Sequence, residues 1–181
     1  MSNHDILFKR RSIRSYTGEK ISEAELQEIL KAAYSAPVGM GRYDTLHLTV
    51  IQNADIIAEI NQITSVMMEK ITGMKKETPL YGAPTLIVVS CEKPEHGRAN
   101  VSYSNAAIVV HNMAVQATAL DLGCVHIWGA IAAVNGSEET LAKLNLPEGH
   151  TACCALAIGK TEESYELREI PEGRISTSII E

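Results

Sequence analysis

Leu26, Ile29, Leu30 and Ala33 fall at the i, i+3, i+4, i+7 spacing of one helix face, and Ser22-Glu23-Ala24-Glu25 just ahead of them has the form of a capping box. This predicts a helix from about Ser22 to Tyr34. Leu46, Leu48 and Val50 then alternate with His47, Thr49 and Ile51, the period of a strand. Ile56, Ile60, Ile63, Met67 and Ile71 mark a long amphipathic helix that starts near Asn53 or Asp55 and stops at Gly73. After Pro84, Thr85 to Cys91 reads as an apolar run, the form of a strand covered on both faces. Asn105 to Leu122 reads as a helix ended by Gly123, Cys124 to Trp128 and Thr151 to Ile158 as strands, and Ser137 to about Leu144 as a capped helix. Helices alternating with strands around one sheet predict an α/β or α+β sandwich.

The helix from Asn105 has a consequence beyond the single chain. Ala106, Ala107, Ile108, Val109, Val110, Met113, Ala114, Val115, Ala117 and Ala119 cover nearly its whole circumference. A helix apolar all round needs cover on all sides, and one subunit of 181 residues is short of material to supply it. A symmetric dimer is therefore expected. Residues 1–181 form one expected domain, without repeats or a linker.

Composition narrows the function. With 45% hydrophobic and 21% charged residues the chain has a globular balance. No apolar run approaches the roughly 20 residues of a membrane span, and Met1 to Arg14 is polar and then basic with no apolar stretch after it, so a cytoplasmic location is expected, with no membrane partner. A net charge of −6 argues against nucleic acid as a partner. Cys91, Cys124, Cys153 and Cys154 lack C-x-x-C or zinc spacing and read as buried free thiols. The six histidines are scattered, His111 and His126 reading as core or interface residues, and no metal is expected. G-x-S-x-G, P-loop and G-x-G-x-x-G motifs are lacking. Asn135-Gly136-Ser137 reads as a turn and helix cap rather than a glycosylation acceptor.

One segment stands out in this acidic chain: Lys9-Arg10-Arg11-Ser12-Ile13-Arg14, with four basic residues and a hydroxyl in six positions. Arginine offers planar, bidentate donors to phosphate oxygens, and serine adds a neutral one. On the residues alone this is either an anion grip or a solvated basic turn. Arg10-Arg11-Ser12-Ile13-Arg14-Ser15-Tyr16, with Ala32-Ala33-Tyr34-Ser35-Ala36-Pro37 downstream, resembles the R-R-S-x-R-x-F/Y and A-x-x-A-P-S signatures of the nitroreductase family. The resemblance continues through Asn112-Met113, through Leu122-Gly123-Cys124-Val125-His126-Ile127-Trp128-Gly129-Ala130, which is similar to L-G-x-x-x-x-W/I-G-G/A, and through Arg174.

The resemblance implies a nitroreductase-like fold: a central mixed, mostly antiparallel sheet flanked by helices, in an intertwined homodimer with FMN at the interface. It implies that Arg10, Arg11, Ser12 and Arg14 bind FMN, that Arg174 reaches its phosphate, and that Trp128, Gly129 and Ala130 approach the ring. It implies hydride transfer from NAD(P)H to a small electron acceptor such as a nitroaromatic or a quinone, with the cofactor rather than a catalytic residue performing the hard step. Pro37, Val38, Gly39 and Gly41 would line the ring, but Val38 to Thr45 departs from the family's P-S-x-x-N-x-Q-P-W, and Glu172 stands where many members carry lysine. The alternative is a flavin-binding sensor or carrier without reductase activity.

Overall fold

The computed structural model describes residues 5–94, 97 and 99–181; Met1 to His4, the first residues of the polar start, lie outside them. Six helices and four strands follow in order: α1 (Asp5–Lys9), α2 (Glu23–Tyr34), β1 (Leu46–Ile51), α3 (Ala54–Thr72), β2 (Thr85–Glu92), α4 (Ala99–Ala119), β3 (Gly123–Ile127), α5 (Gly129–Asn135), α6 (Glu138–Ala142) and β4 (His150–Gly159). Short 3-10 turns span Gly39–Gly41 and Tyr43–Thr45.

Local chemistry accounts for the helix boundaries. Ser22 accepts from the Glu25 amide while the Glu25 carboxylate accepts from the Ser22 amide at 2.8 Å, so the capping box forms. Asn53 caps α3, and Gly73 ends it in the left-handed conformation at φ 72°. Ser137 caps α6. Asn135 exchanges two side-chain hydrogen bonds with the Ala152 backbone, which fixes the turn before that cap.

The strands form one sheet in the order β1-β2-β4-β3. All three ladders are antiparallel among the described residues, in keeping with the mostly antiparallel sheet expected. Alternate residues of the sheet feed two cores. Ile87, Val89, Leu156 and Ile158 meet Leu26 and Ile29 of α2 and Val110 and Met113 of α4. Leu86, Val88, Ala155 and Ala157 meet Ile57 and Ile60 of α3 and Ile131 and Val134 of α5. The result is a three-layer α+β sandwich, with β2 buried on both faces as its apolar run requires.

The helices differ from the sequence expectation in three places. Helix α4 begins at Ala99, ahead of the apolar run that suggests a start at Asn105. Helix α5 follows β3 at once, where the sequence suggests only a turn; its Gly-Ala-Ile-Ala-Ala-Val run is helix-favouring but too short to show a period. Helix α1, one turn long, precedes the basic segment. No helix among the described residues is long and apolar enough to cross a membrane.

Candidate functional site

The basic segment is laid across β3. Arg10 ends α1 with its amide on the Ile6 carbonyl at 2.8 Å, and three residues later the Ile13 amide donates to the Cys124 carbonyl at 2.9 Å. Ile13 is fully buried, whereas Ser12 beside it is half-buried and Arg14 exposed. Gly123 makes this crossing possible. A Cβ there would stand 2.9 Å from Thr161 Cβ and 3.0 Å from Ile13 Cγ2, so the glycine of the Leu122-Gly123 motif has a packing reason.

The four cationic and hydroxyl side chains then part company. Arg11 is committed to the C-terminal segment, pairing with Glu163 at 3.0 Å and donating to the Ser164 carbonyl at 3.1 Å. Arg14 lies over the Tyr81 ring, 5.6 Å from its centre, with Lys76 Nζ 3.8 Å from the same centre. Arg10 and Ser12 have no side-chain hydrogen bond or ion pair among the described residues; the Arg10 carbonyl, by contrast, accepts from Arg168 at 2.6 Å. The Arg10 charge bears on His111 of α4 and His126 of β3, whose rings stack with centroids 5.9 Å apart.

Lys76 and Tyr81 belong to this basic surface, and sequence reasoning missed both. Tyr81 holds φ at +60°, a left-handed conformation that costs a bulky residue energy. The Lys76 ammonium, and then Arg14, draw the Tyr81 hydroxyl below its ordinary value. The Tyr81-Gly82 pair before Ala83-Pro84 was the available signal, and it spoke only of a turn.

His126 is pushed down to about 4, first by burial and then by Arg10 and His111; burial and Arg10 also lower His111. The pair is therefore uncharged at neutral pH. From the ordinary imidazole value near 6.5 down to about 4 the unfolded chain binds a proton that folded His126 refuses, so stability is full above that window and falls as pH drops through it. His126→Gln should show a shallower loss of urea midpoint than the parent between about pH 6.5 and 5. Identical slopes would assign the loss to other groups.

At the end of β3, Trp128 is 54% exposed, and a Cβ on Gly129 would meet nothing within 4 Å. Ala130, in the first turn of α5, is buried in the core shared with α3. Its small size serves packing. Asn112 and Met113 are likewise structural: Asn112 donates to the Ala32 carbonyl at 3.3 Å, and Met113 is fully buried.

The Pro37 to Gly41 loop sits elsewhere. Val38 is buried against α2 and α4, and the Gly39 amide donates to Asn105 Oδ1 at 2.9 Å. A Cβ on Gly39 would come within 3.2 Å of Val101 Cγ1, so glycine permits the close seat on α4. Pro37 is exposed, and Met40 and Gly41 turn outward with positive φ. With Thr45, Glu92 and Lys93, the loop lines a cleft of about 440 Å³. Arg174 lies in the exposed segment 171–181.

Asn105 and His111 are six residues apart on α4, about 9 Å along its axis and about 120° around it. One chain thus holds the loop and the Arg10 surface on different faces of the same helix. Arg10 bears on the His111–His126 pair, Arg14 lies with Lys76 at Tyr81, and the Pro37 to Gly41 loop is seated on α4 at Asn105.

Comparison with known proteins bears on the fold and the family. A nitroreductase with bound FMN from Bacteroides fragilis matches with TM-score 0.83 and 26% identity, covering 100% of both chains. A nitroreductase with bound FMN from Desulfitobacterium hafniense matches with TM-score 0.83 and 23% identity over 99% of this chain and 98% of that one. An FMN-dependent nitroreductase from Clostridium difficile matches with TM-score 0.78 and 22% identity over 99% of each. No curated protein matches the chain in sequence. The sequence pattern of the Nitroreductase family matches residues 7–160, most of the chain, and the chain belongs to that family.

Proposed function

We propose that the protein is an FMN-dependent oxidoreductase, a homodimer that passes hydride equivalents from NAD(P)H to an electrophilic small molecule such as a nitroaromatic or a quinone. The observation that carries this reading is the pairing state of the basic surface. Arg10 and Ser12 have side-chain donors without partners among the described residues, and Gly129, just past β3, has open space where a side chain would stand. In a chain of net charge −6, a cation left unpaired beside two neutral histidines suits an anionic ligand.

The residues fit FMN by the chemistry of their donors. Arg10 and Ser12 hold the phosphate, and Arg174 reaches it from the C-terminal segment. Arg14, with Lys76 beside it on Tyr81, presents positive charge to the pyrimidine edge, where a cation favours the reduced, anionic ring. Trp128, Gly129 and the Ala130 backbone line the ring's approach. Arg11 keeps its pair with Glu163 and steadies the segment instead. Bound FMN supplies the hydride acceptance and donation; the chain supplies grip, orientation and charge.

A second copy supplies what one chain lacks. Val101, Ser104, Ile108, His111 and Val115 repeat along α4 at spacings of three and four, and none of them is buried. That is the seam by which two helices pack together. Ile175, Ile179 and Ile180 are more than 80% exposed, apolar surface that a partner would cover. Pairing through α4 brings Pro37, Val38, Gly39 and Gly41 of the partner subunit to the cofactor.

The test is direct. Protein purified with excess FMN should be yellow, be bleached by NAD(P)H under anaerobic conditions, and turn over with a nitro or quinone acceptor. Bound flavin that NAD(P)H fails to bleach would make it a carrier or sensor. A colourless protein would overturn both readings.

A further inference from the structure

Strands β2 and β4 lose register between Val89 and Ser90: Val89 faces Cys154 while Ser90 faces Ala152. Cys153 is the residue left over. A bulge takes its extra residue out of the ladder and re-aims the side chain. Here it brings Cys153 Sγ to 3.1 Å from Cys91 Sγ on the neighbouring strand, with the Cys153 thiol donating. Cys91 is buried and Cys153 half-buried, so one of the four thiols expected to be buried reaches the surface. Cys124 is engaged elsewhere, its thiol on the Ala114 carbonyl at 3.6 Å.

We propose that Cys91 and Cys153 are a redox-active dithiol, a modification site that hydrogen peroxide converts to one intrachain disulfide. A disulfide bond is near 2.05 Å long, so about 1 Å of approach separates the thiol pair from the bonded state. The two strands are already held by their ladder, so little chain entropy opposes closure. The hydrogen bond from Cys153 draws the Cys91 thiol below its usual value, whereas Cys153 is held protonated by the same bond and by burial. The sulfur more readily ionised, and so the nucleophile, is Cys91, and the half-buried Cys153 marks the way in for a molecule as small as peroxide.

The chemistry balances with peroxide as the oxidant. The Cys91 thiolate attacks one peroxide oxygen; an S–O bond forms, the O–O bond breaks, and the departing hydroxide takes the Cys153 proton to become water. Cys153 sulfur then attacks Cys91 sulfur; the S–S bond forms, the S–O bond breaks, and the second hydroxide is protonated from solvent. Two thiols lose two electrons and peroxide becomes two waters. Glu92 and Lys93, next in the chain to Cys91, line the cleft beside Gly39, so the cross-link would brace one of its walls. None of this depends on the flavin reading.

The full chain, reduced and then exposed to a few equivalents of hydrogen peroxide, should fall from four titratable thiols to two on denaturation. It should lose the mass of two hydrogens and yield joined peptides carrying Cys91 and Cys153, all reversed by dithiothreitol. Cys153→Ser and Cys91→Ala should each abolish the cross-link, and Cys154→Ser should keep it. Four surviving thiols, oxygen added at Cys153 without a cross-link, or a bond between two chains would each overturn the proposal.

Discussion

Arg10→Ala should weaken FMN binding about ten- to a hundredfold while leaving the urea midpoint of the FMN-free protein unchanged. The size comes from what is removed. A hydrogen bond to a charged group contributes about 1.5–3 kcal/mol, and each 1.4 kcal/mol is a factor of about ten in the dissociation constant. The selectivity comes from the fold. The Arg10 backbone, not its side chain, carries the local structure, through its amide on Ile6 and its carbonyl on Arg168, and alanine keeps both groups. Arg11→Ala is the informative contrast, because it breaks the pair with Glu163 and the bond to Ser164 and should act on stability first. Flavin fluorescence quenching reads the binding, and denaturation without FMN reads the fold. Equal loss of both in Arg10→Ala would make Arg10 a structural residue and move the phosphate grip elsewhere.

That contrast marks where sequence reasoning stops. Six residues at the front of the chain read as one basic cluster because composition sees only proximity along the chain. The buried Ile13 splits them: Arg11 goes to Glu163, more than 150 residues away, and Arg14 to Tyr81. No periodicity encodes such pairings. What was legible rested on chemistry that is local, as in the Ser22–Glu25 box and the Asn53 and Gly73 ends of α3, or on periods long enough to repeat, as in α2 and α3. Helix α5 has seven residues and no repeat, the left-handed Tyr81 is a single torsion, and the Cys153 bulge exists only in the pairing of two strands. The small residues at 129 and 130 look alike in the sequence, yet burial assigns them opposite duties, Gly129 to open space and Ala130 to the core.

The larger effect is expected at the helix seam. Ile108 lies midway along the uncovered stripe of α4 and is 37% exposed in the single chain, so Ile108→Glu adds a charge that an isolated subunit tolerates in water. A two-fold interface uses the same patch of both subunits, so each dimer must bury two carboxylates. Burying an uncompensated ion costs several kcal/mol, and two of them raise the subunit dissociation constant by more than about a thousandfold. Sedimentation of Ile108→Glu at micromolar concentration should therefore give a folded monomer, and that monomer should release FMN, because in the proposed dimer the Arg10 surface of one copy and the Gly39 loop of the other build the site together. Val66→Glu, at an exposed position on α3, should change neither property. A variant at Ile108 that remains a yellow dimer would refute the α4 seam, and a monomer that keeps FMN at the parent affinity would show that one chain builds the whole site.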